Sequence, residues 1–515
     1  MTKILWVDDE MDLLKPYILF LQTKGYEVVT AIDGNEAMDV LGKTMIDIIF
    51  LDENMPGMSG MDVLMLIKEK FPTIPVIMIT KSEEEQIMEQ AIGSKISDYL
   101  IKPVNPKQIL LTLKKHLDSQ QLISNISTMN YQQQFREINQ RLNTSLDQNE
   151  WIDIYKKIVY WEIELSDSSD QSIFEVLRQQ KDEANNLFCR FYERNYQSWL
   201  SGENKERPSL SHLALNDKLF PILKADDKPV FLIVIDNFRF DQWKALQPLI
   251  EQFLRTENED IYYSILPTTT QYARNALFSG LMPSEIKKKY PDMWLDEDKE
   301  GNKNDYEHTF LKDNLKRHGL NIKTSYHKVL NQTYGMRMIE SLPNFLQNKL
   351  NVIVYNFIDM LSHARTDSDI VRELASDEKA YRSVTQTWLE HSPFIEVLRY
   401  LADKDVHVVI TTDHGSVRVD RPVKIKSTKD ASANLRYKIG RLLDYNPKDV
   451  YEVDCNKIYL PQLSINSQFI FARANDFFAY PNNYNYYVSY YMNTFQHGGI
   501  SMEENLIPFI HLTKK

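Results

Sequence analysis

Short apolar runs that end on an acid, a hydroxyl or a lysine recur along this chain, and they constrain its fold more than any other feature. Ile4–Val7, Tyr26–Ala31, Ile46–Leu51, Val76–Thr80 and Asp98–Ile101 read as strands separated by helical patterns. Such runs lack polar alternation, so both faces of each strand must be covered, as in a parallel sheet flanked by helices. Repeated βα units of this kind predict an α/β, doubly wound N-terminal domain whose ligand site lies beyond the carboxyl ends of the strands. Val230–Asp236, Tyr262–Leu266, Val352–Asp359 and Val406–Thr412 repeat the pattern and predict a second parallel α/β sheet.

Between these regions the punctuation disappears. No proline occurs from Lys107 to Arg207, and Gly202 is the one glycine there. Trp151, Ile154, Tyr155 and Ile158 recur at helical spacing, as do Phe188, Tyr192 and Trp199, which predicts a helical bundle with an aromatic core. The expected division is 1–118, 119–207 and 208–515, in keeping with about 150 residues per domain in a chain of 515.

The 60 lysines and arginines stand against 72 acids, a net charge of −12 that argues against a plain DNA-binding protein. No recognition-helix module with basic flanks follows the first domain, so no direct DNA-binding module is expected. There is no run of about 18 apolar residues, and MTKILWVDDE lacks a basic leader. Cys189 and Cys455 are the only cysteines and lie far apart. These features predict a cytoplasmic protein without a membrane span.

In the first domain Asp8 and Asp9 close the first strand, Asp52 the third and Thr80 the fourth, and Lys102 follows the fifth. The topology gathers all of them at one sheet edge. Clustered carboxylates repel each other, and Mg²⁺ relieves that repulsion while orienting a phosphoryl group. A hydroxyl and an ammonium then bind the phosphate oxygens. Together VDDE, FLDENMPGMSG, the run ending in Thr80, and IKP at Lys102–Pro103 resemble the receiver domain of bacterial two-component response regulators. The resemblance implies that Asp52 is the phosphoacceptor, that Asp8, Asp9, Asp52 and the Asn54 carbonyl hold Mg²⁺, and that Thr80 and Tyr99 form the switch pair. Lys102 would sense the phosphate, and the Lys102–Pro103 peptide would be cis.

In the last domain Asp236 closes a strand, and Thr268, Thr269 and Thr270 follow another in LPTTTQYARNALFSG. Asp359 and His363 are four apart, so a helical turn places them on one face. Asp413 and His414 follow a buried strand, and His497 sits in the glycine-flanked FQHGG. Carboxylate and imidazole together suit Zn²⁺, although manganese accepts the same donors. Two such ions stabilise the attacking and leaving oxygens of a phosphoryl displacement, and one of them activates a threonine hydroxyl.

This order resembles the alkaline phosphatase superfamily, more narrowly its PglZ-type branch. The resemblance implies one Zn²⁺ among Asp236, Thr270, Asp413 and His414, and a second among Asp359, His363 and His497. Thr270 would be the nucleophile, with Thr268 and Thr269 as alternatives, and His511 ranks below His497. STKDASANLRYKIGR, carrying Lys429, Asn434, Arg436, Lys438 and Arg441, reads either as a cationic lid over substrate phosphate or as a solvated helix face. The aromatic stretch near Tyr484 reads as packing rather than base stacking.

Receiver, helical linker and PglZ-type domain in one chain resemble the response regulators linked to type IX secretion. That resemblance implies a sensor histidine kinase as partner, a homodimer on phosphorylation, and phosphodiesterase action on a nucleotide or oligonucleotide. The rival expectation is a catalytically silent adaptor that binds a transcription (sigma) factor or a secretion component. A third is a transferase that passes the phosphorylated group to an acceptor other than water.

Overall fold

The structure, a computed structural model, describes all residues except 1, 73, 82–95, 118, 167–170, 203–205, 428–431, 441 and 464–466. It divides into two compact units, residues 1–130 and 131–515.

In the first unit β1 (Lys3–Val7), β2 (Glu27–Ala31), β3 (Ile48–Asp52), β4 (Val76–Thr80) and β5 (Asp98–Ile101) form a parallel sheet in the order β2-β1-β3-β4-β5. Helices α1 (Met11–Thr23), α2 (Gly34–Lys43), α3 (Gly60–Lys70) and α4 (Pro106–Leu117) connect or follow the strands. The period-2 alternation of a strand explains the two-sided burial. Leu5, Val7, Ile49, Leu51 and Val76 enter a core shared with α2 and α3, while Ile4, Trp6, Ile48, Phe50 and Ile77 enter one shared with α1 and α4. The expected doubly wound fold is present, with strand bounds close to those read from sequence.

The chain then forms α5 (Ser119–Leu142), α6 (Gln148–Glu164) and α7 (Gln171–Ser201). A capping box, Asp147 with Glu150, starts α6. Trp151, Tyr155, Phe188, Tyr192 and Trp199 are buried as expected, and from Tyr131 onward these helices share one hydrophobic core with the sheet of the second unit.

That sheet consists of β6 (Val230–Ile235), β7 (Leu254–Tyr263), β8 (Thr324–Val329), β9 (Leu350–Tyr355), β10 (His407–Thr411) and β11 (Leu506–Lys514). Its order is β7-β11-β10-β6-β9-β8. The four strands β10, β6, β9 and β8 pair in parallel, whereas β11 runs antiparallel to both of its neighbours, so the sheet is mixed. Two expectations are corrected here. Tyr262–Leu266 is not a buried parallel strand: β7 begins at Leu254, lies at the sheet edge and ends at Tyr263, its polar RTENED half suited to an edge. The run Val352–Asp359 leaves the sheet at Tyr355, and Asp359 lies in the first turn of α8 (Phe357–Asp367). Between Ser416 and Gln496 the chain builds small sheets, including Tyr437–Gly440 paired with Gln468–Phe471, and the aromatic helix α9 (Tyr484–Tyr491).

Candidate active site

Each unit carries a cluster at the carboxyl ends of its strands. In the first, Asp8, Asp52 and Thr80 are buried, and Lys102 Nζ bridges Asp8 Oδ2 at 3.0 Å and Asp52 Oδ1 at 2.7 Å. Asp8, Asp9 and Asp52 bring carboxylate oxygens within 4.8 Å of one another. Burial raises the Asp52 carboxyl, Lys102 opposes that, and Asp8 and Asp9 raise it further, so it ends above its ordinary value. A divalent cation would discharge this repulsion, and the all-oxygen donor set fits Mg²⁺. Gly60 is required by the approach of α3, because a Cβ there would meet the Asp52 carbonyl at 2.3 Å. The Lys102–Pro103 peptide is cis.

Thr80 Oγ1 hydrogen-bonds Glu53, a residue inside a quoted motif but given no role from sequence. Register places Thr80 opposite Ile101 and Tyr99 opposite Met78, and Tyr99 is 39% exposed. The side chain of Asn54 is exposed.

In the second unit the expected residues converge into two triads. Asp236, Asp413 and His414 form one, and Asp359, His363 and His497 the other, with ligand atoms in each within 4.8 Å of one another. The strand ends of β6 and β10 deliver Asp236 and Asp413–His414, while one turn of α8 delivers Asp359 and His363. His363 Nε2 lies 3.5 Å from Asp359 Oδ2 and His497 Nε2 lies 3.4 Å from Asp359 Oδ1. The triads adjoin: the rings of His414 and His497 stack with centroids 4.3 Å apart.

The imidazoles are oriented for ligation. His414 Nδ1 lies 3.1 Å from the Gly415 carbonyl and His497 Nδ1 3.2 Å from the Thr268 carbonyl. A carbonyl only accepts, so each Nδ1 carries the hydrogen and each Nε2 presents its lone pair to the cluster. Burial also pushes the His414 imidazole down to about 4, which keeps it neutral. Burial would lower His497 as well, but the adjacent Asp359 carboxylate outweighs it and raises that imidazole.

Thr270 opens the helical turn Thr270–Arg274. Its Oγ1 lies 3.3 Å from Asp236 Oδ1 and 3.2 Å from His414 Nε2. Of the neighbouring threonines, Thr268 is committed elsewhere: its Oγ1 donates to the Gly499 carbonyl at 3.0 Å and accepts from Gly498 N at 2.9 Å. Thr269 is buried, and its Oγ1 has no hydrogen-bond partner among the described residues.

The site also contains residues that sequence did not single out. Arg274 Nη1 donates to Asp236 Oδ2 at 2.8 Å and its Nε to Glu307 Oε1 at 2.7 Å, all of it buried. Asn237, at a positive φ of 63°, directs Nδ2 to Asp359 Oδ1 at 3.5 Å. Charge still does not balance. Burial raises the Asp236 carboxyl, Arg274 lowers it, and Asp413 and Asp359 raise it again, leaving it well above the carboxylate range. Asp413 Oδ2 is buried without a hydrogen-bond donor among the described residues. An orphaned buried carboxylate oxygen beside other acids is what a bound cation resolves, so the donor sets fit two Zn²⁺ ions.

The expected cationic lid is corrected. Arg436 is fully buried, paired with Glu504 through Nη2–Oε2 at 2.5 Å and Nε–Oε1 at 3.2 Å. Lys438 is buried with Nζ donating to the Ser432 carbonyl at 2.6 Å, and Asn434 Oδ1 accepts from Arg436 N at 2.7 Å. Glu504 thus neutralises Arg436, and Lys438 directs its ammonium to a carbonyl within the insertion. Lys429 and Arg441 lie outside the described residues. His511 Nε2 sits on β11, 3.0 Å from His407 Nδ1, in neither triad.

Comparison with known families agrees with this geometry. Residues 4–114 match the response regulator receiver domain, 121–200 the PorX response regulator linker domain, and 214–512 the BREX system PglZ alkaline phosphatase-like domain. The chain belongs to the PglZ alkaline phosphatase-like family. The three matches together make it a response regulator of PorX-type architecture. The PglZ match places the second unit in a superfamily of hydrolases. The transcriptional regulatory protein ResD of Bacillus subtilis (strain 168) is 36% identical over 113 residues, 22% of this chain and 47% of that protein. The alginate biosynthesis transcriptional regulatory protein AlgB of Pseudomonas putida is 32% identical over 127 residues, 25% of this chain and 28% of that protein. This PglZ-family chain therefore spans less than half the length of either relative. The solved chemotaxis protein CheY4 of Vibrio cholerae is 33% identical, covering 23% of this chain and 99% of its own, with a TM-score of 0.22. No helix among the described residues is long and apolar enough to cross a membrane.

Proposed function

We propose that this chain is a phosphorylation-regulated, zinc-dependent phosphodiesterase acting on nucleotides or oligonucleotides, and that it serves in the control of type IX secretion. The observation that carries the reading is Thr270 Oγ1 at 3.3 Å from Asp236 and 3.2 Å from His414 Nε2, beside a second Asp-His-His triad. Asp236, Asp413 and His414 would hold one Zn²⁺ with Thr270, and Asp359, His363 and His497 the other. Bound there, the ions supply Lewis acidity to the phosphoryl oxygens and to the threonine hydroxyl.

The chain's own residues do the rest. The turn starting at Thr270 fixes the hydroxyl, and Asn304 Nδ2 donates to the Thr270 carbonyl at 3.0 Å, which steadies that turn. Thr270 Oγ1 attacks phosphorus and the substrate alcohol leaves; water then cleaves the phosphothreonine and regenerates the hydroxyl. Arg274 donates to Asp236 Oδ2 from behind, which opposes the burial and the neighbouring acids that favour its protonated form.

In the receiver, a sensor histidine kinase transfers its phosphoryl group to Asp52 beside Lys102; Asp8, Asp9, Asp52 and the Asn54 carbonyl would hold a Mg²⁺ ion, which would supply charge neutralisation for the phosphoryl oxygens. Thr80 and Tyr99 then reorient, and the face about Lys81–His116, of which 82–95 lies outside the described residues, favours a homodimer.

The test is hydrolysis of a chromogenic phosphodiester by wild type and Thr270→Ala, with and without chelator. Thr270→Ala is expected to lose about 10³-fold or more in kcat, with zinc content retained. Equal rates for both proteins would move the nucleophile elsewhere, and zero turnover on a full nucleotide panel would favour an adaptor that binds a transcription factor or secretion component.

A further inference from the structure

Helix α7 carries on its buried face residues that core-facing helices ordinarily lack. Lys181, Asn185, Cys189, Tyr192 and Tyr196 follow each other at helical intervals and are all buried. An apolar stripe would pack there without polar cost, so each of these groups needs a partner. Most of the partners lie on two loops; the exceptions are Glu162 on α6, whose Oε1 lies 2.9 Å from Lys181 Nζ, and Ala474 N, which donates to Cys189 Sγ at 3.2 Å. Tyr196 Oη accepts from Leu266 N at 2.9 Å, and Tyr192 Oη donates to the Ser264 carbonyl at 2.8 Å, both in the loop that leads into Thr270. Cys189 Sγ donates to the Ile500 carbonyl at 3.2 Å. Asn185 accepts from Met502 N at 2.7 Å and donates to Glu503 Oε2 at 2.9 Å, and Lys181 pairs with Glu503 Oε1 at 2.8 Å. These three hold the loop that follows His497.

The two loops are also joined to each other. Gly498 N donates to Thr268 Oγ1 at 2.9 Å, and Asn505 Nδ2 donates to the Ser264 carbonyl at 3.2 Å. One helix of the linker therefore grips both segments that supply the proposed nucleophile and the ligand His497.

We propose that α7 is the positioning element of the site: its buried polar stripe sets the placement of the Thr270 turn against the His497 turn. The proposal rests on the reading above for the chemistry of that site. A packed helix moves as a rigid body, so a small shift of α7 displaces both loops together. A misplacement of about 1 Å at reacting groups costs about 10²-fold in rate. The linker thereby acquires leverage over catalysis without contributing a ligand.

The test uses the full-length chain with Asn185→Leu and Tyr196→Phe, and Glu183→Ala on the exposed side of α7 as control. Three readouts are compared: amide hydrogen exchange in 264–270 and 497–505, affinity for Zn²⁺ alone by chelator competition, and kcat against KM. Each α7 variant is expected to speed exchange in both loops, including the one it does not touch. Each should also weaken Zn²⁺ binding about 10-fold or more and lower kcat more than KM, with β6 and β9 protected as in wild type. Glu183→Ala should change nothing. Exchange altered only in the contacted loop with unchanged Zn²⁺ affinity would overturn the proposal, and so would loosening of β6 and β9 along with the loops. If no phosphodiester is hydrolysed even by wild type, the functional reading fails, while exchange and Zn²⁺ affinity still decide the role of α7.

Discussion

His212 lies in the short helix Ser211–Ala214, where burial, aided by the nearby Arg207 charge, holds its imidazole down to about 3. The unfolded chain therefore binds a proton below about pH 6.5 that the folded chain refuses. The stability that neutral His212 supports is complete above that pH and is lost as pH falls toward 3, each unit of difference being worth about 1.4 kcal/mol. Denaturant midpoints measured from pH 7 to 4 should fall more steeply for wild type than for His212→Gln; parallel curves would show that other groups dominate. Residue-level legibility was uneven. Asp359 and His363 were legible through their four-residue spacing, and His497 through its glycines, because both signals are local. Arg274 and Glu307 were not, because neutralising a buried acid is a pairing between distant segments that leaves no local pattern. The same cause misdirected Arg436: its basic surroundings read as a lid, while its partner Glu504 lies in a stretch without a motif.

At the scale of elements, the strand ends decide what reaches the site. The buried runs predicted β6 and β10 well, and β9 as far as Tyr355, since continuous apolar burial is a property of the run itself. The edge strand β7 and the antiparallel β11 were not foreseen, because order and direction in a sheet depend on connections that hydrophobicity does not encode. The turn after β10 shows how tightly these elements meet. A Cβ at Gly415 would lie 2.0 Å from the Glu503 carbonyl oxygen, in the same loop that α7 grips. Gly415→Ala should therefore destabilise the second unit by about 1–3 kcal/mol, read as a lower denaturation midpoint, and should weaken Zn²⁺ binding through the adjoining His414. A variant as stable as wild type with full Zn²⁺ affinity would show that the loop yields freely.

At the scale of the whole molecule, two compact units carry two separate acidic clusters, one suited to Mg²⁺ and a phosphoryl group, the other to a pair of Zn²⁺ ions. A switch requires that phosphorylation stabilise one state over another, so an oligomeric equilibrium must shift if the receiver controls assembly. Beryllofluoride with Mg²⁺ should raise the weight-average sedimentation coefficient of wild type and leave Asp52→Asn unchanged; no shift in wild type would remove dimerisation from the scheme. The account stands or falls on the ions in the second unit. Diffraction from crystals grown with zinc, recorded on either side of the zinc absorption edge, tests this most directly. Two anomalous peaks are predicted, one against Asp236, Asp413 and His414 and one against Asp359, His363 and His497, with Thr270 beside the first. A difference map with no peak at either triad, from protein saturated with zinc, would contradict it.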